Sequence, residues 1–363
     1  MRKIKIGLVI LGSLALVGLI LSGAIYAQAV NPLQGKLIAL DAGHGGDEVG
    51  AQYPANSGTS TTIYEKDVNL AVVYALKTKL EADNNSDGQP DNQVVLTRKC
   101  DETISSRKSK DGKTNWQINS EPTLAAEPNF GEAIFGLEDP RIIWLEERQE
   151  YIITCVSFFK GITGEPPGIS LIATKDFSNF ERLGHQLIPP NKDASLFPKT
   201  IRGYYALINR PIVEGRTDIW VSFSKDLNFW GKDRALILAG HRTWDSNRVG
   251  LGPPPIETSE GWLIIYHGAR DTLSGTIYRV GLVLLDLETL EVIRRSRDWV
   301  FGPKESYERV GDVDDVIFPC GAVVDEKTNE LLVYYGAADS VVALAIANFD
   351  NILEYLKKCT GTE

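Results

Sequence analysis

The fold is decided by a pattern best seen in the stretch Trp220-Val221-Ser222-Phe223-Ser224-Lys225-Asp226-Leu227, where an apolar strand runs into a turn that contains aspartate. Similar turns recur at intervals of roughly 50 to 65 residues, a spacing typical of β-propeller blades built from short antiparallel strands. The five marks are Lys110-Asp111-Gly112, Lys175-Asp176-Phe177, Lys225-Asp226-Leu227, Leu285-Asp286-Leu287 and Phe349-Asp350. They predict a mainly β protein with a five-bladed β-propeller.

The segment before the first mark has a different character. Leu37 to Leu40 and Val94 to Arg98 read as short strands, and the apolar periodicity from Glu65 to Leu80 predicts a helix between them. A strand, a helix and a strand indicate an α/β unit. No strand of sufficient length separates this unit from Asp111, so the first blade is predicted to be incomplete.

The N-terminus predicts a targeting segment. Basic residues precede an uncharged apolar run from Ile6 to Tyr26, and Ala27-Gln28-Ala29 offers a cleavage site of small residues. Residues 1–29 are therefore predicted to be a secretory signal peptide or, since the run is long enough to cross a bilayer, a membrane anchor. Either interpretation places the protein at the membrane or outside the cell.

The composition of the chain excludes some classes of function. The chain has 363 residues with a formal net charge of -10, which argues against a nucleic-acid-binding protein with a basic face. Hydrophobic residues make up 43% of the chain, enough to bury a core over most of its length. The four cysteines form no C-x-x-C pair, so they are predicted to be buried thiols rather than ligands of a structural zinc site.

The strongest cluster of reactive side chains is Gly136-Leu137-Glu138-Asp139-Pro140-Arg141-Ile142, where a carboxylate stands beside proline and arginine just before a strand. Alone, this cluster indicates only a turn with a surface ion pair. Further motifs follow it in series: Phe197-Pro198-Lys199, Ile208-Asn209-Arg210-Pro211, Gly250-Leu251-Gly252-Pro253-Pro254-Pro255, Tyr266-His267-Gly268, Tyr278-Arg279-Val280-Gly281, Phe318-Pro319-Cys320-Gly321 and Tyr334-Tyr335-Gly336-Ala337-Ala338-Asp339. Together and in this order they resemble glycoside hydrolase family 130 over about residues 109–356.

This resemblance implies a five-bladed propeller that cleaves β-mannosides with inorganic phosphate, with inversion, to give mannose 1-phosphate. Asp139 resembles the single catalytic acid, and Asp339 resembles a ligand of the sugar hydroxyls. An anionic nucleophile needs no second carboxylate as base, but it does need cations and hydrogen-bond donors. The implied phosphate-binding residues are Lys192, Arg210, Arg248, His267 and Tyr278. The propeller needs no cofactor, and phosphate is its co-substrate.

Each implied role has a structural alternative. His267 fits a buried core histidine, and Arg210, which precedes Pro211, fits a structural ion pair. The aromatic side chains of Trp262, Tyr266 and Tyr334 are predicted to belong to the blade core rather than to a sugar-binding platform, and Cys320 is predicted to serve packing.

The α/β unit carries its own resemblance. Asp41-Ala42-Gly43-His44-Gly45-Gly46 and Tyr64-Glu65-Lys66-Asp67 resemble the N-terminal part of the zinc-dependent N-acetylmuramoyl-L-alanine amidases, over about residues 36–107. The resemblance implies His44 and Glu65 as zinc ligands. A catalytic zinc site needs three protein ligands, and the next histidine after Glu65 is His185, inside the propeller zone. This unit is therefore predicted to be an incomplete, inactive amidase that does not hold zinc.

Several functions remain open at this point. The alternatives to a phosphorylase are a hydrolytic β-mannosidase of the same family, an exported amidase, and a non-catalytic glycan-binding protein. The compartments also conflict, because sugar phosphorolysis suits the cytoplasm whereas the N-terminal segment indicates export. The expected partners are β-mannoside oligosaccharides, phosphate and, through residues 1–29, a membrane.

Overall fold

The computed structural model describes residues 123–125, 127, 130, 136–158 and 166–359 with their side chains, and residues 37–41, 52–53, 63–64, 93–98, 103–108 and 117–118 as backbone strands. The apolar segment 1–29, the helix predicted from Glu65 to Leu80, and the mark at Asp111 lie outside these residues. None of the helices in the described part of the chain combines the length and apolarity that crossing a bilayer requires.

The N-terminal strands form a mixed sheet. The strand predicted at Leu37 to Leu40 is confirmed and pairs in parallel with the strand that contains Val94 to Arg98, as expected for an α/β unit. The second of these strands then pairs antiparallel with its successor along the chain. The strands are β1 (Leu37–Asp41), β2 (Gln52–Tyr53), β3 (Ile63–Tyr64), β4 (Gln93–Arg98), β5 (Thr103–Lys108), β6 (Gln117–Ile118) and β7 (Leu124–Ala125), of which β2 and β3 pair only with each other.

Four antiparallel sheets follow within the described residues. The first contains β8 (Glu138–Leu145), β9 (Glu150–Phe158), β10 (Pro167–Thr174) and β11 (Phe180–Gln186). The second contains β12 (Asn191–Leu196), β13 (Tyr205–Pro211), β14 (Ile219–Ser224) and β15 (Trp230–Ile237). The third contains β16 (Arg248–Leu251), β17 (Ile256–Thr258), β18 (Gly261–Thr272), β19 (Gly275–Leu285) and β20 (Val292–Arg295). The fourth contains β21 (Ile317–Asp325), β22 (Glu330–Ala337) and β23 (Val341–Asn348).

These sheets are arranged as the blades of a β-propeller. Strand β12 packs against β8 and β16, and β21 packs against β18 and β8, so the first strands of the blades lie innermost. Strand β1 also lies against β8 and β21. Buried apolar side chains join neighbouring blades; one cluster, for example, contains Ile152 of the first blade and Leu207 of the second. The blades therefore share their cores rather than folding as separate units.

Three of the predicted aspartate turns connect the last two strands of a blade. The carboxylate of Asp226 accepts hydrogen bonds from the backbone N–H groups of Asn228 and Phe229, both at 2.9 Å. Asp176 and Asp286 make the same pair of bonds in their own blades. Aspartate recurs here because its short side chain closes the turn on the backbone two and three residues later.

The fifth mark was predicted wrongly. Asp350 lies in the first turn of helix α2 (Phe349–Lys358), which follows a short helix α1 (Ser306–Arg309) earlier in the chain. Asn348 caps α2 through its side chain, and a helix begins because this residue accepts the backbone N–H of Asn351. In the described residues the fourth blade thus ends on a helix in place of a fourth strand.

The predicted core residues are buried. Trp262 and Tyr266 are 0% exposed and Tyr334 is 3% exposed, which confirms that they belong to the core of the blades. Cys155 and Cys320 are buried free thiols as predicted, whereas Cys359 is partly exposed because it lies at the C-terminal end of α2.

Candidate active site

A cavity of about 310 Å³ opens at one end of the innermost strands. Strands of all four described blades contribute to it, because β8, β12, β16 and β21 each begin at this end of the propeller. The cavity brings together all seven residues singled out in the propeller sequence: Asp139, Lys192, Arg210, Arg248, His267, Tyr278 and Asp339. These residues span 200 positions of the chain, so only the ring of blades makes them neighbours.

Backbone irregularities aim three carboxylates at this cavity. Asp139 lies where the pairing of β8 with β9 shifts register, and Asp193 lies at the equivalent shift between β12 and β13. Both residues have a φ of 49°, and Asp339 has a φ of 53° in the turn after β22. This left-handed region is costly for most residues and less so for aspartate, and bulges of this kind redirect side chains next to active sites.

Arg141 fixes the backbone of Asp139. Its side chain is 1% exposed, and its Nη1 atom donates a hydrogen bond to the carbonyl oxygen of Asp139 at 2.8 Å. Its Nε and Nη2 atoms donate to the carbonyl oxygens of Gly252 and Leu251 at 3.0 and 2.9 Å. One buried guanidinium therefore links the strained turn of β8 to the end of β16, 110 residues away.

Asp193 is a buried carboxylate at the centre of the site. Its Oδ2 atom lies 2.7 Å from Arg210 Nε and 3.4 Å from His267 Nε2, and its Oδ1 atom lies 3.9 Å from Arg141 Nη2. The Arg210 contact is an ion pair without hydrogen-bond geometry, since neither atom completes a hydrogen bond within the described residues. Burial alone would raise the pKa of Asp193, but Arg210 and its other cationic neighbours outweigh it and lower the pKa to about 2.

His267 is held neutral. Its side chain is 1% exposed and lies between the rings of Phe318 and Tyr278, with centroid distances of 4.6 and 5.9 Å. Burial is the main cause that lowers the pKa of His267 to about 3; Asp193 opposes this shift, while Arg210 and Arg141 reinforce it. A neutral imidazole has one donor and one acceptor nitrogen, so His267 can donate a hydrogen bond to an anion without carrying a charge.

Two further cations line the cavity. Arg248 lies over the ring of Tyr278, with its Cζ atom 5.8 Å from the centroid, and it has no carboxylate partner among the described residues. Lys192 is partly exposed and its Nζ atom lies 3.8 Å from Glu138 Oε2. Arg248 is thus the guanidinium whose charge is least compensated by neighbouring side chains.

Gly250 allows the blades to approach one another here. It pairs with His267 across β16 and β18, and a Cβ atom at this position would overlap both the Asp193 carboxylate and the His267 ring. Only glycine leaves the space that the buried carboxylate and the imidazole share.

Sequence reasoning missed Asp193 and assigned no role to Glu138, Arg141 or Phe318, although three of them stand in the quoted motifs. Asp193 had one usable indication: it is an acidic residue that follows Lys192 and directly precedes the uncharged stretch Ala194 to Pro198. A charge at the start of an apolar strand indicates either an edge or a buried ion pair. The partner Arg210 lies on the next strand, at the same level of the sheet as Lys192.

The zinc ligands expected in the N-terminal unit, His44 and Glu65, lie outside the described residues. Among the residues that are described, no three or more histidine, cysteine, aspartate or glutamate side chains are grouped as metal ligands would be. The propeller cavity itself offers a mixture of guanidinium, imidazole and carboxylate groups, which is suited to an oxyanion next to a polyhydroxylated ligand.

The comparisons with known proteins agree with this geometry. The sequence model of glycoside hydrolase family 130, described as beta-1,4-mannooligosaccharide phosphorylase, matches residues 95–358. A second family model, described as N-acetylmuramoyl-L-alanine amidase, matches residues 38–119, so that the two matches overlap.

Characterised relatives support the first match. A beta-1,4-mannooligosaccharide phosphorylase of Ruminococcus albus is 36% identical over 258 residues, covering 69% of this chain and 74% of that protein. A 1,2-beta-oligomannan phosphorylase of Thermoanaerobacter sp. is 38% identical over 245 residues, covering 67% and 78%. The solved structure of a beta-1,2-mannobiose phosphorylase from Listeria innocua, in complex with beta-1,2-mannobiose, aligns with a TM-score of 0.63 at 35% identity, covering 70% of this chain and 69% of that one. The chain belongs to glycoside hydrolase family 130.

Proposed function

We propose that this chain is a β-mannoside phosphorylase, which cleaves the glycosidic bond with inorganic phosphate and inverts the anomeric carbon to give α-mannose 1-phosphate. The observation that carries this proposal is the single cavity in which Asp139 shares space with Arg210, Arg248 and the neutral His267. An acid for the leaving group and a set of anion-binding groups are the two parts that phosphorolysis requires.

Asp139 is the proposed catalytic acid. Its carboxylic acid protonates the 3-hydroxyl of the mannosyl ring, and that hydroxyl passes its own proton to the glycosidic oxygen. The bond from C1 to this oxygen breaks, the leaving sugar departs as an alcohol, and Asp139 remains as a carboxylate. The Arg141 hydrogen bond to the Asp139 carbonyl supports this role, because it fixes the backbone from which the acid projects.

Phosphate is the proposed nucleophile, and it attacks C1 from the face opposite the leaving group. Arg210, Arg248, Lys192, His267 and Tyr278 would hold it, with the guanidinium of Arg248 providing the least compensated positive charge. Since phosphate arrives as an anion, no side chain has to deprotonate it before attack. Asp339, which also lines the cavity, is the proposed ligand of the sugar hydroxyls.

A phosphate-dependence assay tests this function. Purified protein is incubated with β-1,4- and β-1,2-mannobiose, with and without inorganic phosphate, and products are followed by ³¹P and ¹H NMR. We expect mannose 1-phosphate only when phosphate is present; using both disaccharides matters because the relatives named above differ in linkage. Free mannose released at the same rate without phosphate would identify the hydrolytic β-mannosidase instead. Binding without turnover would favour the glycan-binding alternative.

The N-terminal segment has a structural role in this proposal. We infer that the sheet containing β1, β4 and β5 acts as the first of five blades and closes the ring between β21 and β8. Its support is the position of β1 against both of those strands, together with the overlap of the two family matches across residues 95–119. The amidase-like segment at about 36–107 would then lack amidase activity and zinc, and the family 130-like segment at about 109–356 would supply the remaining four blades. Residues 1–29 remain predicted as a signal peptide or membrane anchor.

A further inference from the structure

Asp193 has contacts that packing of its own strand does not require. It lies on β12, yet its carboxylate faces Arg141 of β8, Arg210 of β13 and His267 of β18. Its side chain is 1% exposed, and neither oxygen completes a hydrogen bond within the described residues. A buried charge is costly to maintain unless it is compensated, so a carboxylate held in this position indicates a specific task.

The geometry points to a positioning role: we propose that Asp193 holds the guanidinium of Arg210 in the orientation in which it binds phosphate. This inference rests on the function proposed above and adds a residue to it. The Asp193 carboxylate occupies the Nε side of Arg210, at 2.7 Å, while the guanidinium forms part of the cavity wall. Arg210 cannot turn toward its own strand without abandoning the one carboxylate that neutralises it.

The site around Asp193 is built to keep the carboxylate still. The Asp193 carboxylate and the His267 ring fill the space beside Gly250, where even a Cβ atom would overlap them. The register shift between Lys192 and Ser195 places Asp193 in left-handed backbone, and this turns its side chain toward the neighbouring blades. Preorganisation of this kind lowers the cost of ordering an arginine when the anion binds.

A role through charge and a role through positioning predict opposite changes in phosphate affinity when Asp193 is replaced. If Asp193 acted only through its charge, its removal would strengthen phosphate binding, because a nearby negative charge repels the anion. If it positions Arg210, its removal weakens binding even though the cavity becomes more positive. Asp193→Asn separates the two, since asparagine keeps the size and loses the charge.

The test is isothermal titration of the full chain with inorganic phosphate, combined with thermal unfolding. We expect Asp193→Asn to weaken phosphate binding about tenfold or more, as for loss of a charged interaction. The matched control is Asp245→Asn: Asp245 is a buried carboxylate 2.7 Å from Arg295 Nη2, outside the cavity. This control should lose thermal stability while binding phosphate as the unmodified chain does.

Phosphate binding by Asp193→Asn that equals or exceeds that of the unmodified chain would overturn the positioning role. Absence of phosphate binding by the unmodified chain would instead overturn the proposed function itself. Should Asp193→Asn not fold, Asp193→Glu decides the matter: it keeps the negative charge but displaces the carboxylate from the Nε atom of Arg210. Phosphate affinity reduced about tenfold supports the proposal, and unchanged affinity contradicts it.

Discussion

At the scale of single residues, the arginines of the cavity differ in how their charge is compensated. Arg141 is buried and donates three hydrogen bonds to backbone carbonyl groups, and Arg210 faces Asp193. Arg248 lies over the ring of Tyr278 and has no carboxylate partner among the described residues. A guanidinium in this state is available to an incoming oxyanion, so anion binding should depend on it more than on the others.

We therefore expect Arg248→Ala to raise the KM for phosphate about tenfold or more, as for loss of a charge-assisted hydrogen bond. The KM for the mannoside should change little, because the proposed ligand of the sugar hydroxyls is Asp339 and not Arg248. The control is Arg279→Ala, which removes an arginine that lies 5.3 Å from the centroid of Trp299 and does not line the cavity. Equal phosphate KM values for the two variants would contradict the assignment of Arg248.

The lowered pKa of His267 predicts that the stability of the protein depends on pH. Its pKa of about 3 in the folded protein lies below its ordinary value of 6.5, so the unfolded chain binds more protons between these values. The free energy of unfolding should thus rise with pH across this window and level off above 6.5. We expect the slope between about pH 4 and 6.5 to be shallower in His267→Asn, by urea titration. Equal slopes in both proteins would show that His267 is not buried as a neutral group.

The sequence predicted the candidate site residues that stand in local motifs, such as Asp139 before a strand and His267 beside Gly268. It did not predict the roles of Asp193 and Arg141. Asp193 combines Arg210 of its own blade with Arg141 and His267 of two other blades, and Arg141 bonds to the backbone of another blade. Arg141 bonds to carbonyl groups 110 and 111 residues away, and nothing near it in the sequence reports them. The role of a residue that bonds to backbone groups far away in the sequence can be recognised only from the folded ring of blades.

At the scale of elements, the innermost strands are shaped by interruptions rather than by regular pairing. The pairings of β8, β12 and β21 with their neighbours each shift register near the cavity. Aspartate turns were predictable because their hydrogen bonds are local. The bulges were not, because no local hydrogen-bond pattern in the sequence reports them. Asp350 was misread because aspartate is favoured both in turns and in the first turn of a helix, where this residue lies.

Gly250→Ala tests how tightly the elements meet at the site. The added Cβ atom would overlap the Asp193 carboxylate and the His267 ring, so we expect a loss of about 1–3 kcal/mol in the free energy of unfolding. Gly231→Ala is the matched control, since this glycine also lies in a strand but has open space where a Cβ would be. A cost no larger than that of the control would mean that the site relaxes freely.

At the scale of the whole molecule, two family resemblances meet in one structure. The two matched segments overlap over residues 95–119, and β1 from the first segment lies against β8 and β21 of the propeller. The sequence indicated two partial units and a blade without its inner strands. The described strands favour a different relation, in which the N-terminal unit contributes a strand to the ring rather than folding apart from it.

Ala39→Pro examines this relation, because Ala39 pairs with Val95 in the centre of the β1–β4 ladder. Proline removes the backbone donor and should lower the free energy of unfolding of the propeller by about 3 kcal/mol, measured by urea titration with tryptophan fluorescence. Ala39→Ser, which retains the donor, is the control. If both variants leave the propeller's transition unchanged, the N-terminal sheet is not part of the ring.

The propeller cavity is proposed to hold two separable parts: an acid that protonates the leaving group and a binding site for phosphate. Asp139→Asn measures this most directly when phosphate affinity, by calorimetry, and formation of mannose 1-phosphate, by ³¹P NMR, are determined on the same preparation. Phosphate affinity should stay at the level of the unmodified chain while formation of mannose 1-phosphate is abolished. Retained turnover in this variant, or loss of phosphate binding together with turnover, would contradict this proposal.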